Sequence, residues 1–231
     1  MPRGERRRDG RAADEGGGAE GSDRMTPGAN EPDIRTKILL AAKTLFAKQG
    51  FEGTTVRQVC DAACANVALV SYHFGGKDNL FKALFDEFFP GEEAIEPFRE
   101  RLAHPTEGVA TLIAQTMLHI FRDPDLSTIM EQEIMMRSPR ISVIQEKAFP
   151  IWRILRDLLR RGREEGVFRF RCLDTTLLMV LGSILFHKRT FYFQPLFLEE
   201  PQRPDAVIAD TIRYVYGALG AAAPGGGEAS P

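Results

Sequence analysis

The sequence predicts an all-α protein: a small three-helix unit followed by a larger helical one. Three observations carry the prediction. From position 34 onward apolar residues recur at i, i+4, i+7 and i+8, which lays them along one face of a helix. Helix start and stop signals (Asp33, Gly50, Thr54, Thr55, Gly75-Gly76, Pro90-Gly91, Pro105) cut that pattern into segments of helical length. No stretch alternates with period two long enough for a strand; the nearest, residues 167–170, is short.

Residues 1–32 hold six arginines, seven acids and almost no large apolar side chain. Such a segment cannot offset the entropy of ordering, so a disordered extension is expected, and its balanced charge gives it little pull on a polyanion. The first helix should start at Pro32 or Asp33 and stop at Gly50, with Ile34, Ile38, Ala41, Ala42, Leu45 and Phe46 on one face. Thr54 or Thr55 can cap a second helix through about residue 62. A third fits Asn66 to Phe74 and breaks at Gly75-Gly76. Lys77-Asp78-Asn79 opens a fourth, which carries Leu80, Phe81, Leu84, Phe85 and Phe88. Beyond Pro105 the expected helices are longer: about 105–122, 125–137, 140–165 with a kink or break at Pro150, 172–190 and 203–219. A loose Ala/Gly/Pro tail closes the chain. The expected division is therefore an extension at 1–32, a first unit at 33–80, a second at 81–220 and a tail at 221–231.

Composition removes several classes of function. The longest uncharged apolar run, Thr175 to Phe186, has twelve residues. A membrane helix needs roughly 20, so no membrane span is expected. The N-terminus lacks the apolar stretch of a secretory signal. Three cysteines (Cys60, Cys64, Cys172) are too few for a disulfide framework, and a reducing cytoplasm is expected. Net charge is only −2, but it is unevenly spread. Residues 33–85 carry seven basic and four acidic side chains, whereas 86–231 carry 17 and 21. Any surface for a polyanion belongs to the first unit.

The informative stretch is Thr54 to Lys77, TTVRQVCDAACANVALVSYHFGGK. Two short helices joined by a tight turn make a helix-turn-helix, whose second helix fits a DNA major groove about 12 Å wide. Val70 and Phe74 are four apart and can pack inward. Val67, Ala68, Ser71 and Tyr72 then lie on the other side, with Asn66 and Leu69 at the same end of the helix. That face has neither Lys nor Glu. Small side chains let a helix approach bases closely, and Val and Ala can meet thymine methyls. Phosphate anchors flank it: Thr54 and Thr55 with free amides at one helix start, Arg57 one turn further on, and Tyr72, His73 and Lys77 at the far end.

The run KILLAAKTLFAKQGFEGTTVRQVCDAACANVALVSYHFGGKDNLFKAL is similar to the N-terminal DNA-binding domain of the TetR family of transcriptional regulators, from about Ile34 to Leu84. Its markers are AAKTLF…GF…TTV and the ending Tyr72-His73-Phe74-x-x-Lys77. The resemblance implies a dimer on a palindromic operator, a small-molecule effector bound in the C-terminal domain, repression, and no enzymatic activity or cofactor. The rivals are a regulator controlled by a protein partner without a small ligand, and an α-helical enzyme that carries a helix-turn-helix. One departure stands out. Cys64 occupies a turn position where the family usually has Gly, which predicts either mild strain or a different turn.

Cys60 and Cys64, spaced i, i+4, suggest a metal or redox site, but no third and fourth ligand is apparent; two small buried residues is the plainer reading. Gly75-Gly76-Lys77 fails the phosphate-loop pattern, since Ser71 stands where a Gly is needed. No G-x-S-x-G, H-E-x-x-H or C-x-x-C occurs. Leu177 to Phe186 is too apolar for a surface helix, and periodicity alone leaves a buried helix and a dimer face equally open. The resemblance implies pairing through about 172–190 and 203–219. Met117, Phe121, Met130, Ile134, Met135, Trp152, Leu155 and Phe186 are the expected lining of an effector pocket, with His119, Arg153 or His187 to orient a polar end.

Overall fold

The computed structural model describes residues 32–224, and among these every regular element is helical. The expected extension up to residue 31 and the tail from 225 lie outside that range. The helices are α1 (Ile34–Gln49), α2 (Val56–Ala63), α3 (Val67–Phe74), α4 (Lys77–Phe88), α5 (Arg99–Leu102), α6 (Pro105–Arg122), α7 (Pro124–Met135), α8 (Ile141–Glu164), α9 (Leu173–Leu185), α10 (Thr190–Phe193) and α11 (Pro204–Ala218). Tight 3₁₀ turns precede α5 and flank α10.

The first helices begin where side chains can cap them. The Asp33 carboxylate accepts the Thr36 amide at 2.7 Å, which holds its pKa below the usual carboxylate value. Thr55 caps α2 in a reciprocal box: its hydroxyl accepts the Gln58 amide, and Gln58 Oε1 accepts the Thr55 amide at 2.8 Å. Asn66 caps α3 by accepting the Ala68 amide at 2.9 Å. Gly75 and Gly76, at φ +73° and +140°, turn the chain from α3 into α4 through backbone that side-chain-bearing residues rarely adopt.

Two cores form. The first gathers Ile38, Leu39, Ala42 and Phe46 of α1 with Val59 and Cys60 of α2, Val70 and Phe74 of α3, and Leu80, Phe81, Leu84 and Phe85 of α4. Phe46, Phe51, Phe81 and Phe85 meet with centroids 5.0–5.9 Å apart, contacts each worth about 0.5–1.5 kcal/mol beyond their burial. The expected boundary at position 80 falls inside α4, whose buried face completes this core. The second core joins α6, α8, α9 and α11 around Phe168. Gly162 permits it: a Cβ there would stand 2.1 Å from the Phe168 ring. Buried Tyr216 ties the last helix to α6. Its hydroxyl donates to the Thr106 carbonyl and accepts the Ala110 amide at 3.1 Å, so it stands between a pair that normally bonds i to i−4. Burial raises the Tyr216 pKa well above its ordinary value.

The first core also takes in Leu126 and Ile129 of α7 and Ile144 of α8, and polar contacts reinforce this junction with α1 and the turn after it. Lys43 Nζ meets Asp123 Oδ2 at 2.7 Å, and Gln132 Nε2 donates to the Ala47 carbonyl at 2.8 Å. Arg140 bridges Glu133 (2.9 Å) and Glu52 (3.1 Å), with its guanidinium 3.7 Å from the Phe51 ring centroid.

Three expectations are corrected. No break occurs at Pro150, where α8 continues. The proline removes one ladder bond, but Ile144, Ala148, Leu155 and Leu158 keep the helix packed on both sides of it. The helix expected over 172–190 ends at Leu185 and tightens into 3₁₀ and short α turns before Pro195. Cys64 is exposed rather than buried.

The turn at Cys64 keeps the left-handed conformation, φ 52° and ψ 41°, that suits glycine. Cys64→Gly is therefore expected to stabilise the protein by about 0.5–1 kcal/mol, read as a rise in the urea midpoint at unchanged m-value. A fall in that midpoint would mean that the cysteine side chain contributes more than its backbone strain costs.

Candidate nucleic-acid interface and cavity

The inward and outward faces of α3 separate as its spacing requires. Val70 and Phe74 are buried, whereas Asn66, Val67, Ala68, Ser71 and Tyr72 are exposed, Tyr72 at 82%. Leu69 is half-buried and packs against the first core. His73 is also half-buried, its ring 5.0 Å from that of Tyr72.

The flanking anchors divide. Thr55 and Arg57 are exposed at the start of α2, and Arg57 forms no ion pair among the described residues. Lys77 opens α4 with its ammonium 4.1 Å from the Phe51 ring centroid, so the aromatic ring fixes a cation at a helix N-terminus. Thr54 is corrected as an anchor. It is 1% exposed, and its hydroxyl donates to the Gly50 carbonyl at 2.8 Å, which leaves nothing for a phosphate. Periodicity could not separate Thr54 from Thr55, because both stand where a cap is possible. Burial pushes the Cys60 thiol up, away from the reactive thiolate. No group of three or more His, Cys, Asp or Glu among the described residues is placed to hold a metal.

A cavity of about 280 Å³ lies between the α4–α5 connection, α6, α7, α8 and the end of α9. Met130 and Trp152 line it as expected, joined by Phe89, Phe98, Leu112 and Ile151, and His119 supplies a polar edge. The other expected lining residues lie elsewhere. Met117 and Leu155 fill the second core. Phe121 and Phe186 border a wider, open groove beside α11, as does His187, which bonds Thr211 at 3.0 Å. Ile134 and Met135 face outward at the end of α7, and Arg153 is outside the cavity. Sequence reasoning missed the polar residues Gln115, Thr116, Arg122, Ser127 and Lys188, which also line the cavity. Lys188 sits in a Lys-Arg pair that reads like any solvated helix end, so no signal distinguished it.

α9 and α11 leave one face open. Leu178 and Met179 are 69% and 68% exposed, Tyr214 is 70%, and a Cβ on Gly182 or Gly217 would meet no atom within 4 Å. Among the described residues no helix is long and apolar enough to cross a membrane.

Known proteins share both halves of this arrangement. The family model for bacterial regulatory proteins of the tetR family matches residues 38–84, and that for the tetracyclin repressor-like C-terminal domain matches 105–208. The HTH-type transcriptional repressor NicS of Pseudomonas putida is 25% identical over 189 residues, which cover 78% of this chain and 88% of NicS. The crystal structure of HlyIIR, a hemolysin II transcriptional regulator, superposes with a TM-score of 0.64 at 25% identity, covering 77% of this chain and 96% of HlyIIR. The ketosteroid transcriptional regulator KstR2 of Mycobacterium tuberculosis shares the fold, with a TM-score of 0.66 at 21% identity over 82% of this chain and 96% of its own. The two family models together span well over half of the sequence, and the chain belongs to the TetR family of bacterial transcriptional regulators.

Proposed function

We propose that the protein is a cytoplasmic repressor that binds a palindromic operator as a homodimer and releases it when a small apolar or amphipathic effector occupies the cavity. The exposed row Val67, Ala68, Ser71 and Tyr72 on α3 carries this reading. It offers shape and apolar contact to base edges while Thr55, Arg57 and Lys77 grip phosphates on either side. α1–α3 with the first half of α4 make the DNA-binding unit, and the remaining helices to about residue 220 make the effector and dimerisation unit. Pairing through α9 and α11 would set two copies of α3 to read half-sites roughly 34–36 Å apart, or a multiple of that spacing.

The cavity is well placed to act on DNA binding. Phe89, Pro90 and Gly91, which follow α4, form one part of its wall, and Leu126, Ser127 and Met130 of α7 form another. α7 in turn holds α1 through Asp123 and Gln132. An effector that fits one disposition of these helices better than the DNA-bound one shifts the population, and a coupling of about 1–3 kcal/mol is typical.

Operator selection from random DNA with the purified protein tests the reading and yields the site. On that site affinity should fall steeply with rising salt, because several phosphates are neutralised. Lys77→Ala should weaken all sequences alike and lower the salt slope, whereas Ser71→Ala or Val67→Ala should change the preferred bases by about 1–3 kcal/mol. Selection that returns no common sequence, with a flat salt profile, would overturn the operator reading.

A further inference from the structure

Among the described residues, the ionisable side chains that line the cavity are all bases: His119, Arg122 and Lys188. The three are not equivalent. Arg122 is exposed at the rim. His119 is half-buried, and burial pushes its pKa down, which favours a neutral imidazole that can bond a ligand without adding charge. Lys188 is the inner cation, its side chain only 16% exposed.

Lys188 is incompletely satisfied. One donor goes to the Ser127 carbonyl at 3.2 Å. The Glu131 carboxylate lies 3.8 Å from its ammonium, beyond hydrogen-bond distance, and is already engaged by Arg189, whose Nε donates to it at 2.8 Å. An ammonium has three donors, so two remain for a guest. Burial also pushes the Lys188 pKa down, the mark of a charge held at a cost that an incoming anion would offset.

We infer that the cavity selects a small amphipathic carboxylic acid, with its carboxylate against Lys188 and its apolar body between Trp152, Ile151, Met130 and Leu112. This inference rests on the reading of the cavity as the effector site. Lys188 repels a cationic ligand, and a neutral one offers the ammonium at most an uncharged acceptor, so charge discriminates by repulsion as well as attraction. A monoanion matches a single lysine whose field Glu131 already reduces. The volume of about 280 Å³ is at the small end of ligand pockets, which suits a medium-length chain or a single aromatic ring.

Trp152 is the only tryptophan in the chain and lines the cavity, so its fluorescence reports occupancy directly. The full-length protein is titrated with octanoate, octanol and octylamine, which share a chain and differ in charge. Octanoate should bind about 10- to 100-fold more tightly than octanol, as expected for a charge-assisted hydrogen bond, and octylamine most weakly. Lys188→Met should abolish the preference, leaving octanoate and octanol within about threefold. Glu131→Gln retains Lys188, removes the opposing charge and should tighten octanoate severalfold; it tests the same point should Lys188→Met not fold. Equal affinity for octanoate and octanol in the unaltered protein would overturn the charge inference while leaving the cavity reading in place. No fluorescence change with any of the three would overturn the cavity reading itself.

Discussion

The double substitution Leu178→Glu, Met179→Glu is expected to leave a folded monomer whose operator affinity is reduced at least ~100-fold, the scale on which linking two binding modules raises affinity. Both side chains point out of α9 and touch little of their own chain, being 69% and 68% exposed. Beside them Gly182 leaves a gap where a Cβ would meet nothing, which admits a partner helix at close range. Burying a Leu or Met side chain contributes about 1.5–3 kcal/mol, and a two-fold interface counts each residue twice. Four introduced carboxylates would instead face one another across the axis. Light scattering reads the oligomeric state, circular dichroism the retained helix, and a gel shift the operator affinity. A dimer that survived the double substitution would move the interface away from α9.

Arg140→Ala is expected to cost about 3–5 kcal/mol of stability, the usual penalty for stripping one partner from a buried ion pair. Glu133 is 5% exposed, and Arg140 is the cation that meets it, at 2.9 Å. Ser138 also donates to that carboxylate but brings no charge. The same guanidinium lies over Phe51 and reaches Glu52, so its loss also loosens the connection that leads from α1 into α2. A double-mutant cycle with Glu133→Gln separates these effects. The neutral partner should recover much of the loss if the stranded charge is its source, and little if the Phe51 contact dominates. Urea unfolding at one fixed protein concentration reads all four corners, because the stability of the proposed dimer would depend on concentration. A cost below about 1 kcal/mol would place Arg140 among surface ion pairs of little consequence.

Much of the DNA-binding unit was legible before any coordinates. Asp33, Thr55, Asn66 and Gly75 act within three or four residues of themselves, so helix ends show in the chain. The four-residue spacing of Val70 and Phe74 assigns the inner face of α3, and the outer face follows. The errors arose where the outcome depends on a neighbour far along the chain. Thr54 and Thr55 look alike until Gly50 takes one of them. Pro150 reads as a kink or a break, and the packed residues on either side keep the helix continuous despite one lost bond.

The cavity was the least legible part. Met117, Phe121, Ile134 and Phe186 have the same apolar character as Met130 and Trp152, yet only the last two line it. Periodicity assigns a residue to a face of its own helix. Whether that face fills a core, borders a void or awaits a second copy is a matter of spacing between helices. Local sequence thus specified the order of the helices, their ends and the face that α3 turns outward, because bonds and caps spanning a few residues govern these. The void beside Trp152, the part-buried lysine at its wall and the open flank of α9 came from the packing of helices distant in sequence, where small shifts separate a filled contact from a space.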